Sequence, residues 1–212
     1  MDPAQFRKLC EERGISIPST GTGFEELEKD PQAVADRAKA LGAKYVMCAW
    51  IPHKKGEFNK ENADRAIAAF NKGGKVLREK WDNLQISCAW PHGDETLLDY
   101  MIRNTDPNYV ALQMDVMWTH FGGGNPVGLL QQYGKRWVSL HLKDFRKGAP
   151  RDMTGLTGPE NDVPLGQGEL DIPGILRESN KLGIKHMFIE DESDLELENL
   201  PKSIAYLRSL KY

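Results

Sequence analysis

A unit made of one helix and one apolar strand recurs along the chain. In the segments 30–50, 125–144 and 171–192, an Asp or Asn stands shortly before a Pro, and a stretch with helical spacing follows, then a Gly and an apolar run. Asp or Asn caps a helix N-terminus, Pro fits the first turn, and Gly suits the left-handed position that ends a helix. This alternation predicts βα units and a parallel sheet.

Apolar runs predict six strands and one further long helix. The strands are expected near residues 15–21, 44–50, 84–90, 109–115, 137–143 and 186–191. Residues 61–81 are predicted to form a helix whose apolar positions are Ala63, Ile67, Phe70, Leu77 and Trp81. The Gly- and Pro-rich segment 148–168 is predicted to be a long loop, a kind of segment that often carries function. No linker interrupts the pattern, so residues 1–212 are expected to form a single domain.

The predicted strands have one apolar face and one small or polar face. Side chains alternate along a strand, so His141 and Lys143 share the polar face of strand 137–143. Asp115 and Glu190 occupy the same kind of face where their own strands end. An open doubly wound sheet is apolar on both faces, whereas a barrel turns one face toward its outer helices and the other inward. Because (β/α) barrels carry active sites at C-terminal strand ends, the predicted fold is an α/β, TIM-type (β/α) barrel.

His141 has two competing explanations, and Asp144, which directly follows the strand, has one. A single histidine such as His141 is more often a core residue with satisfied hydrogen bonds, but two ionisable neighbours at other strand ends favour a functional site. Asp144 falls on the opposite face, where a capping or pairing role behind the barrel is expected.

Composition excludes several classes of protein. The 212 residues, 40% of them hydrophobic, suffice for one sizeable core. The net charge of −3 is spread over interspersed acids and bases, so no nucleic-acid footprint is present, and no apolar run approaches the roughly 20 residues that span a membrane. The charged start, MDPAQFRKLCEERG, predicts a helix rather than a signal peptide. The scattered cysteines Cys10, Cys48 and Cys88 indicate thiols in a reducing, cytoplasmic compartment.

Four motifs carry a resemblance to a known family. LQMDVMW, HLKD, PLGQGELD and FIEDES, in this order and spacing, resemble the sugar phosphate isomerase/epimerase family of xylose isomerase-like TIM barrels. The resemblance covers nearly the whole chain, from PAQFRKLCEERGI to LPKSIAYLRSL. Members of this family bind one divalent metal with Glu, Asp, His and Glu from four successive strand ends. The resemblance therefore implies Asp115, His141 and Glu190 as metal ligands, with Glu95 as the candidate for the first position.

The segment AWPHGDETLLDYM departs from the family pattern, which has a Tyr-His-x-His stretch before an aromatic residue and the Glu. His92 and Glu95 match that pattern, but Trp90 replaces a His and the following loop is shorter. Helix capping explains Glu95 equally well, because Thr96 and Asp99 form a near capping box and acids favour a helix N-terminus.

Carboxylates with one imidazole make a hard, mixed oxygen and nitrogen site that suits Mn²⁺, Mg²⁺, Co²⁺ or Zn²⁺. Such an ion polarises a sugar carbonyl and lowers the cost of an enediolate. The resemblance implies that Glu95 and Glu190 act as catalytic acid and base. Lys143 either stabilises the developing oxyanion or forms a salt bridge to a site carboxylate. The candidate substrate-binding residues are His92, Trp90 and Trp118, although a buried core role is the commoner one for Trp.

Three functions are compatible with these residues. The resemblance first implies a metal-dependent isomerase or epimerase that acts on a sugar or keto-sugar through an enediolate. Because the same intermediate can expel a β-substituent, a lyase or dehydratase of keto-sugars or keto-glycosides is an alternative. A catalytically inactive sugar-binding or scaffold protein is a third. In each case the expected partner is a small sugar, with no nucleic acid and no membrane.

The number of βα units also differs from that of the family. Family barrels have eight units, whereas the pattern here predicts about six, without the first strand, first helix and second strand. Six units cannot close an eight-stranded barrel, so the strands near 15–21 and 186–192 are expected to be edges. Unpaired edges invite pairing with another chain, and a homo-oligomer, most simply a homodimer, is therefore expected. The alternative is a smaller, distorted six-strand barrel whose helices close the gap.

Overall fold

A computed structural model of the chain describes residues 1–77, 94–152 and 154–211, together with the backbone of 81–82 and 91–92. Its contacts group the described residues into two compact units. The first runs up to Leu112, and the second begins at Gln113. The strand predicted over 84–90 lies outside the described residues.

The first unit contains five helices whose ends follow the sequence signals. They are α1 (Pro3–Glu11), α2 (Phe24–Lys29), α3 (Pro31–Leu41), α4 (Lys60–Leu77) and α5 (Leu97–Asn104). The Asp30 side chain accepts a hydrogen bond from the Ala33 N–H at the start of α3, where Pro31 takes the first helical position. Gly42 ends α3 with φ 70°, so the capping pattern of the predicted repeat is confirmed here.

The strands of the first unit are shorter than predicted. Parallel strands β1 (Ser19–Gly21) and β2 (Tyr45–Met47) pair with Ser19 opposite Tyr45. Pro18 has no N–H to donate, which accounts for the late start of β1 within 15–21. The next strands are β3 (Trp81–Asp82), an antiparallel pair formed by β4 (Pro91–His92) and β5 (Glu95–Thr96), and β6 (Val110–Asp115).

Trp81 corrects the predicted end of the long helix. Helix α4 ends at Leu77, and the backbone of Trp81 pairs in parallel with Val110 of β6. The helical spacing of Trp81 was misleading, because pairing with a strand about thirty residues away determines its conformation. Spacing alone contains no information on such a partner.

Two adjacent glycines in α4 permit a close approach to neighbouring segments. A Cβ atom added to Gly74 would lie 2.6 Å from the Cβ atom of Tyr109, and one added to Gly73 would lie 2.8 Å from Cδ1 of Leu27. Helix propensity alone disfavours Gly at both positions. Packing therefore explains why this helix contains them.

The second unit alternates helices and strands as predicted. Its elements are α6 (Val116–Phe121), α7 (Pro126–Tyr133), β7 (Trp137–Leu142), β8 (Asp144–Phe145), β9 (Asp162–Val163), α8 (Ile172–Leu182), β10 (His186–Ile189) and α9 (Glu196–Ser209). Strand β10 is parallel to β7, with Phe188 opposite His141. Strands β8 and β9 form an antiparallel pair in which Phe145 lies opposite Asp162. The sequence does not predict this pair, because its second strand lies inside the segment 148–168, which is predicted to be a loop.

The buried side chain of Asp144 organises the PLGQGELD motif. Its carboxylate accepts hydrogen bonds from the backbone N–H groups of Phe145, Gly166, Gly168 and Leu170, at 2.9–3.1 Å. Burial raises the pKa of Asp144, while these donors favour its charged form. A Cβ atom on Gly168 would lie 2.1 Å from Oδ1 of Asp144. The structural role expected for Asp144 is therefore confirmed, and glycine is needed where the loop passes the carboxylate.

The helices and the cysteines can be compared with the expectations of no membrane span and of free thiols. Within the described ranges, no helix combines the length and apolar character needed to cross a membrane. Cys10 and Cys48 are buried free thiols, and burial raises the pKa of Cys48 to about 11. Cys88 lies outside the described residues.

Candidate metal centre

Three strand ends of the second unit bring a histidine and two carboxylates together. Asp115 is the last residue of β6, His141 lies in β7, and Glu190 directly follows β10. One ligand atom from each of the three residues lies within 4.8 Å of the others. The structure thus places these sequence-predicted residues around one point.

Local backbone geometry positions each of the three side chains. The Glu190 N–H donates to the Leu142 carbonyl at 3.2 Å, which extends the parallel pairing of β10 and β7 by one residue. Asp115 is also the N-cap of α6, where its Oδ1 atom accepts a hydrogen bond from the Trp118 N–H at 2.9 Å. Its second oxygen, Oδ2, is the one that faces Lys143 and His141.

The contacts within this cluster fit a cation. Nδ1 of His141 lies in ion-pair contact with Oε2 of Glu190 and 3.9 Å from Oδ2 of Asp115. Among the described residues, neither the Nδ1 atom nor the Oε2 atom has a hydrogen bond of normal geometry, although both are buried. Buried polar atoms without hydrogen bonds are uncommon and costly. A metal ion that accepts their lone pairs would satisfy both atoms.

Lys143 is a buried cation beside the cluster. Its side chain is 1% exposed, and its Nζ atom lies 2.7 Å from Glu192, 3.2 Å from Glu190 and 3.3 Å from Asp115. The same atom lies 5.9 Å from the ring centroid of Trp118. Burial alone would lower the pKa of Lys143, but the three carboxylates outweigh burial and raise that pKa. Lys143 therefore stays charged at neutral pH.

The site contains more carboxylates than cationic side chains. Burial raises the pKa of Asp115 to about 6, against the opposing charge of Lys143. Burial also raises the pKa of Glu190, but contact with His141 and the charge of Lys143 hold it below its ordinary value. Three carboxylates, those of Asp115, Glu190 and Glu192, surround the single buried cation of Lys143. This excess of acids suits a divalent cation.

Glu192 is a site residue that the sequence reasoning missed. Its carboxylate lies closer to Lys143 than either of the other two acids does. A signal was present, because Glu192 stands two positions after Glu190 in FIEDES and strand alternation places such residues on one face. Asp162, which contacts the Glu192 backbone, had no comparable signal in the predicted loop.

Glu95 lies in the first unit, where its carboxylate forms an ion pair with Arg103. The residue that caps α5 is Thr96, whose side chain accepts from the Asp99 N–H at 3.1 Å, while the Asp99 carboxylate accepts from the Thr96 N–H at 2.8 Å. The near capping box in the sequence is thus a complete one. It does not include Glu95, whose part as a fourth ligand stays a prediction.

Of the three candidate substrate-binding residues, Trp118 is the one whose side chain the structure describes. Trp118 is half-buried on α6 and packs against a cluster of apolar residues, with its ring 5.5 Å from that of Phe121 and nearly perpendicular to it. This packing is the common core role of a tryptophan, although the Trp118 ring also lies near Lys143. Trp90 and the side chain of His92 lie outside the described part of the chain.

Several proteins of similar sequence share one name. The inosose dehydratase of Clostridium botulinum is 27% identical over 230 residues, which cover 93% of this chain and 76% of the relative. Relatives from Clostridium beijerinckii and Geobacillus thermodenitrificans have the same name.

Solved structures show the same fold at lower identity. A sugar phosphate isomerase/epimerase from Parabacteroides distasonis matches with a TM-score of 0.77 and 19% identity, over 99% of this chain and 78% of that one. An IolI protein with a bound zinc atom matches with a TM-score of 0.73 and 15% identity, over 98% and 80% of the two chains. The family model of the xylose isomerase-like TIM barrel matches residues 1–210. The chain belongs to the xylose isomerase-like TIM-barrel family.

Proposed function

We propose that this protein is a divalent-metal-dependent lyase that removes water from a keto-sugar or a cyclic keto-polyol. The observation that carries the proposal is the convergence of Asp115, His141 and Glu190 beside the buried cation of Lys143. The name inosose dehydratase, shared by several relatives, supports a dehydration of this substrate class.

Asp115, His141 and Glu190 would hold the metal. Two carboxylates and one imidazole suit Mn²⁺, Mg²⁺, Co²⁺ or Zn²⁺, and the zinc atom of the similar IolI protein is consistent with this range. When bound, such an ion polarises the ketone of the substrate and orients its neighbouring hydroxyl group.

Dehydration needs only one group that accepts and then returns a proton. In the proposed reaction, the Glu190 carboxylate takes the proton from the carbon next to the ketone, and the electrons of that C–H bond form an enolate. The β C–O bond then breaks, Glu190 returns the proton to the departing hydroxyl, and water leaves as the C=C bond forms. Lys143 would stabilise the negative charge that develops on oxygen, because its buried amine lies beside the proposed metal ligands, 3.2 Å from Glu190 and 3.3 Å from Asp115.

Isomerisation or epimerisation is the second candidate, favoured by the similarity to a sugar phosphate isomerase/epimerase. Epimerisation needs a second acid–base group on the opposite face of the substrate carbon. Glu95 is the candidate from the sequence, but its carboxylate is already paired with Arg103. Among the described residues, Glu190 is the glutamate that the cluster of Asp115, His141 and Glu190 contains, and this favours the lyase.

Product analysis separates these functions. The chain, stripped with a chelator and reloaded with each of the four metals, would be incubated with keto-inositols and free ketoses in D₂O and followed by NMR. A lyase yields an unsaturated or rearranged product that has lost one water, whereas an epimerase yields a diastereomer of unchanged elemental composition. If calorimetry detects no metal binding and no substrate reacts, the sugar-binding or scaffold alternative is favoured instead.

A further inference from the structure

We propose that Asp162 is a positioning residue that fixes the segment from Glu190 to Glu192 and so sets the geometry of the metal ligand and of Lys143. This inference rests on the proposed function, because it assigns Asp162 a role toward the metal that Glu190 would bind. Asp162 itself contacts neither the cluster of Asp115, His141 and Glu190 nor a substrate group in the proposed reaction.

Asp162 is held rigidly and is almost entirely buried. It lies in β9 opposite Phe145 of β8, and its exposed fraction is 4%. The pairing is extended by the Arg146 N–H, which donates to the Asn161 carbonyl at 2.9 Å, and by the Arg146 guanidinium, which donates to the Asn161 side chain at 2.8 Å. The carboxylate therefore projects from a fixed backbone.

The Asp162 carboxylate binds the backbone of the segment that carries the site acids. Its Oδ2 atom accepts a hydrogen bond from the Glu192 N–H at 2.6 Å. This bond is shorter than most N–H···O hydrogen bonds in proteins, whose distances run from roughly 2.7 to 3.2 Å. The other backbone anchor of this segment is the Glu190 N–H, which donates to Leu142 at 3.2 Å. Two anchors two residues apart fix both the position and the direction of the chain there.

The side chains at these two anchored positions contact the same lysine. Oε2 of Glu192 lies 2.7 Å from Nζ of Lys143, and Oε2 of Glu190 lies 3.2 Å from it. Releasing the Glu192 backbone would allow both carboxylates to move away from Lys143. Groups that orient metal ligands from behind typically contribute 10- to 100-fold to metal affinity.

A purely structural role would not require an acid at this position. Oδ1 of Asp162 is buried, and within the described residues it has no hydrogen-bond partner. An unsatisfied buried carboxylate oxygen is costly, and an apolar side chain would fill the same space more favourably. What Asp162 adds is the side-chain oxygen that accepts from the Glu192 N–H.

The test compares an apolar substitution and an amide substitution with a matched control. Asp162→Leu keeps the branching of the side chain, at a larger volume, and removes the acceptor, whereas Asp162→Asn is close in size and retains a side-chain oxygen that can accept from Glu192. The control is Asp152→Leu, because Asp152 accepts a hydrogen bond from the Thr154 N–H at 2.7 Å in an exposed loop. Should Asp162→Leu fail to fold, Asp162→Ser, whose hydroxyl is too short to reach the N–H, replaces it.

Two readouts other than activity are measured on the full chain. Hydrogen exchange of the Glu192 amide in the metal-free protein tests the anchor, and calorimetry with Mn²⁺ or Zn²⁺ tests its effect on the site. We expect Asp162→Leu to accelerate the Glu192 exchange and to weaken metal binding about 10- to 100-fold, with Asp162→Asn and Asp152→Leu close to wild type.

The possible failures are distinguishable. If the Glu192 amide in Asp162→Leu exchanges at the wild-type rate, Asp162 does not hold the backbone of this segment. If the amide exchanges faster but the metal affinity is unchanged, Asp162 does not position the metal ligand. A wild-type chain that binds no metal overturns the proposed function instead, while the exchange measurement still decides whether Asp162 holds the segment.

Discussion

At the scale of single residues, the site depends on groups that each serve two purposes. Asp115 caps α6 with one oxygen and faces Lys143 with the other. Lys143 supplies the positive charge that keeps buried carboxylates ionised. Glu190 completes the pairing of two strands with its backbone and contacts His141 with its side chain. Substitutions here therefore need controls for folding as well as for chemistry.

Glu190→Gln is predicted to reduce kcat by at least about 100-fold, since proton transfer by a side chain typically contributes a factor of 10² to 10⁴. The amide cannot accept the substrate proton, but its size preserves the fold. The exposed acid Glu61 on α4 provides the control substitution Glu61→Gln. Solvent exchange of the substrate α-proton at the wild-type rate in Glu190→Gln would reject this glutamate as the base.

Asp162 is predicted to make the stability of the metal-free protein depend on pH. Burial, as the largest cause, raises its pKa from 3.8 to about 7, with the charge of Asp191 acting in the same direction. Between about pH 4 and pH 7 the folded protein keeps a proton that the unfolded chain releases. The free energy of unfolding therefore falls as the pH rises through this window, by up to about 4 kcal/mol from this group.

Urea unfolding in the presence of a chelator, from pH 4 to pH 8, measures this effect. The substitution Asp162→Asn should flatten the decline, while the smaller contribution of Asp115, whose pKa is raised to about 6, should remain. Equal slopes for Asp162→Asn and wild type would contradict the assignment.

At the scale of elements, packing between segments overrides local propensity in α4. Helix propensity favours Ala over Gly by roughly 1 kcal/mol at an interior position. The Cβ of an alanine at position 74 would meet the backbone carbonyl and Cβ of Tyr109, which cannot move easily, whereas at position 73 it would meet the tip of the flexible Leu27 side chain. Alanine substitutions at positions 73 and 74 therefore distinguish the effect of helix propensity from the effect of packing.

Gly74→Ala is predicted to lower the free energy of unfolding by about 1–3 kcal/mol, because overpacking exceeds the gain in propensity. Gly73→Ala is its matched control and should change the same quantity by less than about 1 kcal/mol. Chemical denaturation of both variants provides the measurement. Equal effects at the two positions would show that the contact with Tyr109 is not limiting.

At the scale of the whole molecule, α9 presents an apolar stripe to solvent. The helix buries the polar residues Asn199 and Ser203 and leaves Leu197 82% exposed and Ile204 39% exposed. The stripe is spaced as in a helix–helix interface, and its members are Leu197, Leu200, Ile204 and Leu207. Acids lie at the start of α9, with Arg208 in its last turn, so an antiparallel copy would bring opposite charges together.

We predict that two copies of the chain associate through this stripe, a surface that differs from the strand edges near 15–21 and 186–192 on which the sequence-based prediction of a homo-oligomer rested. Leu197→Glu should lower the average mass in light scattering toward that of a monomer, and Lys211→Gln, a change at an exposed residue beyond α9, is the control. A wild-type monomer at about 100 μM would contradict the prediction. In that case another partner would have to cover the stripe.

The sequence by itself determined the features that depend on near neighbours. Asp–Pro starts and Gly ends identify α3, and period-two alternation places His141 on the same face as Lys143. Polar residues at strand ends indicated Asp115 and Glu190, because parallel strands end at the same edge of a sheet. Asp144 was assigned a structural role for the same reason of alternation.

Only the tertiary structure decided the features that depend on distant partners. Trp81 is in a strand because Val110 pairs with it, and Glu95 is neutralised by Arg103. Asp162 reaches the Glu192 N–H across thirty positions of sequence. The physical reason is that hydrogen bonds and ion pairs act over a few ångströms, and the fold brings together residues whose separation along the chain contains no periodic signal.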